Sequence, residues 1–86
     1  MEIAELACRA GLLIHSCIPS AKPPVQSDLT VGMIMAIAAA EAGLHTVKVN
    51  TKIQPNHDVK EKFHLRMGKT IRSLEELKGL CYTPPS

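Results

Sequence analysis

In the first fifteen residues, apolar side chains recur at Ile3, Leu6, Ala7, Ala10, Leu13 and Ile14. Steps of three and four predict a helix over 2–15 with these residues on one face. Glu2 and Glu5 near its start, with Arg9 and His15 later, suit the helix dipole. Residues 16–28 then lose periodicity. Pro19, Pro23 and Pro24 lack amide donors and restrain the residues before them, so this stretch reads as a long crossover loop. Asp28 or Ser27 can cap a second helix over 29–42, which Gly43 would end as a left-handed C′ residue. That helix has Glu41 as its one charge and is apolar nearly all round. A surface helix shows one apolar stripe, so this one has two faces to cover.

After Gly43 the pattern changes to a period of two. Val47, Val49 and Ile53 are apolar while Lys48, Asn50 and Lys52 are polar, which predicts a half-buried strand over 44–53. Pro55-Asn56-His57-Asp58 reads as a turn. Alternation resumes over 62–67. A three-residue loop, Arg66-Met67-Gly68, would pair Phe63 with Ile71 and Leu65 with Lys69 across a hairpin that continues to Arg72. Ser73 and Glu76 match a capping box for a short last helix striped by Leu74, Leu77 and Leu80. The predicted order is α-α-β-β-β-α. This is an α+β two-layer sandwich, a three-stranded antiparallel meander with helices packed on one face. A single small domain would occupy residues 1–80, with an extended C-terminal tail over 81–86.

Composition adds a constraint on the core. Of 86 residues only Phe63 and Tyr82 are aromatic, and there is no Trp. Aromatic side chains carry the largest burial per residue, so a core of aliphatic and small side chains has a thin stability margin. Such domains gain stability by self-association or from a partner. Cys8, Cys17 and Cys81 form no closed disulfide framework. The acidic N-terminus is unlike a signal peptide, and no run approaches the ~18 apolar residues of a membrane span. These features place the chain in the cytoplasm, with no membrane role.

The formal net charge of +2 hides a gradient. Residues 1–43 hold Arg9 and Lys22 against four acids, whereas residues 44–72 hold seven basic residues against Asp58 and Glu61. On the predicted sheet Lys48, Lys52, Lys62 and Arg72 share the open face, with Arg66 at its rim. A basic face of this kind can hold a nucleic acid or other polyanion, or meet an acidic partner. It lacks the exposed aromatics that stack single-stranded bases, and such a face is often only solubilising.

Metal and catalytic chemistry find little support. His15-x-Cys17 is too tight for a zinc half-site, and no CxxC or HxxxH occurs. A Cys17–His15 nucleophile and base would lack an orienting third group. Neither a catalytic residue, a metal ligand nor a cofactor site is assigned.

The second helix is the stronger candidate. Val31, Met33, Met35, Ala38 and Ala39 combine adaptable methionines with alanines that let another backbone come close. The sequence therefore predicts a small non-enzymatic protein–protein interaction module. It would act as a homodimer or as a subunit or modulator of a larger assembly, through helix 29–42 and loop 16–28. The alternative is a nucleic-acid-binding protein using Lys48, Lys52, Lys62, Arg66 and Arg72. A third reading is a Cys/His-based enzyme or metal protein.

Overall fold

The computed structural model describes residues 1–82 and contains three α-helices with no strand among them. The first, α1, spans Glu2–Cys17; α2 spans Pro23–Lys52; α3 spans His57–Tyr82. A single 3-10 turn, Ile18–Ser20, joins α1 to α2. The α+β sandwich and its three-stranded meander are therefore incorrect, and the protein is a three-helix bundle.

The helix termini account for part of the difference. Pro23 and Pro24 occupy the first positions of α2, where a missing amide costs nothing and a fixed φ favours the helix. Most of the expected crossover loop is thus helical. The Gln26 side-chain amide donates to the Ile18 carbonyl at 3.0 Å and ties the turn to α2. The connection after α2 lies where Pro55-Asn56 suggested a turn. There the Asn56 carboxamide oxygen accepts from the amides of Asp58 and Val59 at 3.0 and 3.2 Å, which caps α3.

Each segment assigned to a strand is helical. Residues 44–52 continue α2, and residues 62–67 and 69–72 lie within α3. A different repeat holds across them. In α2 the residues turned inward are Met33, Ile37, Ala40, Leu44, Val47 and Thr51; in α3 they are Phe63, Met67, Thr70, Leu74, Leu77 and Cys81. Both sets alternate steps of four and three, the spacing of a helix packed along a seam. The β-branched residues that favoured a strand are accommodated because propensity yields to packing. The threonines also satisfy themselves locally. Thr51 and Thr70 are buried, and their hydroxyls donate to the carbonyls of Val47 and Arg66, four residues back, at 2.7 and 2.9 Å. Neither Gly43 nor Gly68 ends an element, and Ser73 caps nothing because it lies inside α3. Cys81 and Tyr82, expected in an extended tail, form the last turn of α3, while residues 83–86 lie outside the described part.

The helices run up, down and up. Ala4 lies against Gly43 and Ile14 against Gly32, so α1 and α2 are antiparallel. Glu5 pairs with Arg66 and Gly11 lies against Leu77, so α1 and α3 run in the same direction. Lys78 meets Glu41 at 3.4 Å, which sets α3 antiparallel to α2. The bundle measures 51 × 18 × 17 Å. Its core joins Cys8, Met33, Ile37, Ala40, Leu74 and Leu77.

Small residues set how closely α1 can pack. Ala4, Cys8 and Gly11 are its buried positions. A Cβ at Gly43 would lie 3.1 Å from the Ala4 amide nitrogen, and one at Gly11 would overlap the Leu77 side chain. The apolar face read from the sequence is therefore not the buried one: Ile3, Leu6 and Leu13 are exposed.

These contacts predict contrasting outcomes in urea unfolding followed by circular dichroism. Gly43→Val should destabilise by about 1–3 kcal/mol, because α1 backbone blocks the added methyls. At Gly32 a Cβ meets only the end of Ile14, at 3.4 Å. Gly32→Ala should therefore stabilise by roughly 0.5–1 kcal/mol through helix propensity. Leu77→Ala should cost about 2–5 kcal/mol, since Leu77 is fully buried. In thiol labelling of the native protein, exposed Cys17 should react first and Cys8 only on unfolding.

Candidate functional site

The outer side of the α1/α2 pair carries several large exposed apolar side chains. On α1, Ile3, Leu6, Ala10 and Leu13 are spaced by three and four residues and face away from the core. On α2, Val31, Met35, Ala38 and Ala42 are spaced in the same way, and Ala39 beside them is also exposed. The stripes adjoin, because Ile3 and Ala42 line one groove with Thr46 and Asn50. Ile3, Leu13 and Met35 are 68–69% exposed, Leu6 60% and Val31 53%. Of the residues expected to form the interface, Val31, Met35, Ala38 and Ala39 lie on this face. Met33 does not, since it is buried in the core. The α1 half of the surface is not distinguishable in the sequence, where large apolar side chains at helical spacing read as a core face.

The outward-facing residues have a second consequence. An 18-residue window of α2 has a mean hydropathy of 1.4, and only 22% of it is buried in the bundle. By length and composition α2 is thus able to cross a membrane, contrary to the expectation that no segment approaches that length. The window passes on its mean hydropathy although polar residues interrupt its apolar run.

The basic residues do not share one face. Lys48 and Lys52 line a cleft between α2 and α3 with Lys60 and His64. Lys62 and Arg66 border a different hollow, with Val59 and Phe63. The Arg66 guanidinium also donates to a Glu5 carboxylate oxygen. Arg72 is exposed on α3 and lines neither. With no sheet to align them, these five cations fall into separate groups.

The Cys and His residues are also dispersed. His15 and Cys17 are two apart on α1, and residues at that spacing point to different sides of a helix. Among the described residues no three His, Cys, Asp or Glu groups are placed to hold a metal ion. Cys8 lines a small hollow of 170 Å³ with Glu5, Arg9, Leu12, Lys69, Thr70 and Ser73. Burial pushes its thiol above the usual range, which favours the unreactive protonated form.

No significant match was found among curated proteins or solved structures. A model of the formiminotransferase-cyclodeaminase family matches residues 1–69, which comprise α1, α2 and the first half of α3. Those residues include both apolar stripes, and the three lysines and His64 of the α2/α3 cleft. This chain therefore belongs to the formiminotransferase-cyclodeaminase family.

Proposed function

We propose that this chain is a helical association unit of an enzyme assembly of the formiminotransferase-cyclodeaminase kind. It pairs with a second copy of itself through the outer face of α1 and α2. The observation that carries this reading is the run of large exposed side chains Ile3, Leu6, Leu13, Val31 and Met35. Contiguous apolar surface of this kind marks association sites. Ala38, Ala39 and Ala42 flank the run and let an opposing helix approach closely. The small core supports the same conclusion, since a marginal fold gains stability from a bound partner.

The family connection supports attachment to an enzyme. The described residues support a structural share in that enzyme rather than a complete reaction centre. The Cys17–His15 pair is split across α1, and the thiol with a displaced pKa is held protonated. A protein partner also suits α2 better than a bilayer. Insertion would pull Met33, Ile37 and Ala40 out of the core and break the pairing of Glu41 with Lys78. The separation of the cations argues against the nucleic-acid reading, because a phosphate backbone needs a continuous basic track. Three unpaired thiols suit a reducing compartment, and we place the protein in the cytoplasm.

Light scattering coupled to size-exclusion chromatography tests the association. The wild-type chain should elute as a dimer at about 50 μM, a concentration within reach of an ordinary micromolar interface. Met35→Glu and Leu6→Glu should each give a monomer of unchanged helicity by circular dichroism. A wild-type monomer at that concentration, or variants that dimerise as well as wild type, would refute self-association through this face.

A further inference from the structure

We propose that the cleft between the C-terminal turns of α2 and the N-terminal turns of α3 binds a small anion carrying two or more charges, as phosphate or carboxylate groups. The cleft has a volume of about 280 Å³, just below the ~300–1,000 Å³ typical of ligand pockets and enough for a small anion. Lys48, Thr51 and Lys52 line it from α2, and Lys60, His64 and Met67 from α3. No acidic residue contributes to the lining. Asp58 and Glu61, the nearest acids in sequence, lie off it.

The bundle geometry leaves this region open. Glu5 meets Arg66 near the start of α1, so the first turns of α3, with Lys60, extend past α1. The cleft follows the seam between α2 and α3. The interior repeat places Thr51 and Met67 at its base, and the residues flanking that repeat place cations at its edge. The Thr51 hydroxyl is already engaged with the Val47 carbonyl, so the base has no free donor there.

The electrostatics call for a counter-charge. Among the described residues the ion pairs are Arg66–Glu5 and Lys78–Glu41, and neither engages the cations of the cleft. Three ammonium groups in one groove repel one another. A multiply charged anion removes that repulsion and gains an attraction to each. Lysines act as flexible point charges without the planar fork of arginine, so the site selects for charge more than for shape. Phosphate and carboxylate are therefore alternative sources of the same chemistry. The next groove along the α2/α3 seam shares Lys48 and Met67 but carries Glu41 and Glu75. Those carboxylates close the cationic region on that side. Lys62 and Arg66 border another hollow, so the positive region is a compact patch, too short for an extended polyanion.

Titration calorimetry of the full chain at about 50 mM salt, where screening is weak, tests the site with pyrophosphate, citrate and acetate. Pyrophosphate, citrate or both should bind saturably with one site per chain, while singly charged acetate should not. Binding of pyrophosphate alone identifies phosphate as the recognised group, and binding of citrate alone identifies carboxylate. The Lys48→Gln/Lys60→Gln double variant should lose at least about tenfold in affinity, equivalent to roughly 1.4 kcal/mol. Lys62→Gln, on the other hollow, should bind like wild type. If the double variant misfolds, the exposed single substitution Lys52→Gln takes its place, with a loss of about threefold or more. The proposal fails if neither multivalent anion binds saturably. It fails too if Lys62→Gln weakens binding as much as the cleft variants, or if only an oligonucleotide binds. Association through α1 and α2 uses none of these residues, so either proposal can fail while the other holds.

Discussion

The structure depends on how closely α1 lies in the groove between α2 and α3. Ala4, Cys8 and Gly11 are the buried residues of α1, and Gly43 is the residue of α2 that receives Ala4. With almost no aromatic side chains, the chain fills little of its interior with bulk. It compensates by bringing backbones together, so that dispersion contacts accumulate between main chains and short side chains. Met33 and Leu77, the largest fully buried side chains, then occupy the space left at the centre.

That choice determines the rest of the surface. If small residues face inward on α1, the large ones at Ile3, Leu6 and Leu13 must face outward. The same holds on α2, where the inward repeat from Met33 to Thr51 turns Val31 and Met35 away from the core. The exposed apolar face is thus a direct consequence of how the bundle packs. The shortness of α1 has a parallel effect at the far end. There the first turns of α3 extend past α1, and lysines of α2 and α3 border the cleft along their seam.

Some of this was legible in the residues. The first helix, the helical run from Leu29 to Ala42, its excess of apolar faces and the connection at Pro55-Asn56 all follow from spacing and composition, and all appear in the structure. The sheet does not, for an identifiable reason. Over 44–53 an apolar period of two and a repeat of four and three coexist, and Val47 belongs to both. The first dominates in the sequence because Val, Thr and Ile favour strands and because Gly43 resembles a helix end. The deciding residues are Thr51 and Thr70, polar by composition yet buried with their hydroxyls bonded four residues back. Admitting threonine to the interior set extends the repeat unbroken from Met33 to Thr51 and from Phe63 to Cys81.

The candidate surfaces were legible to the extent that they depend on helix 29–42. Val31, Met35, Ala38 and Ala39 were identifiable from the apolar excess alone, because a helix apolar on every side must leave some of that surface outside a core this small. Met33 was not separable from them without the register that the bundle imposes. The cations needed the fold still more. On a sheet Lys48, Lys52, Lys62 and Arg72 would share a face by their period of two. On two helices a step of four keeps Lys48 with Lys52 and Lys60 with His64, while Lys62 and Arg66 move to the opposite flank of α3. Cations adjacent in sequence thus become two sites of different character. In the α2/α3 cleft no carboxylate balances the charge, whereas the patch on the α1 side is partly neutralised by Glu5.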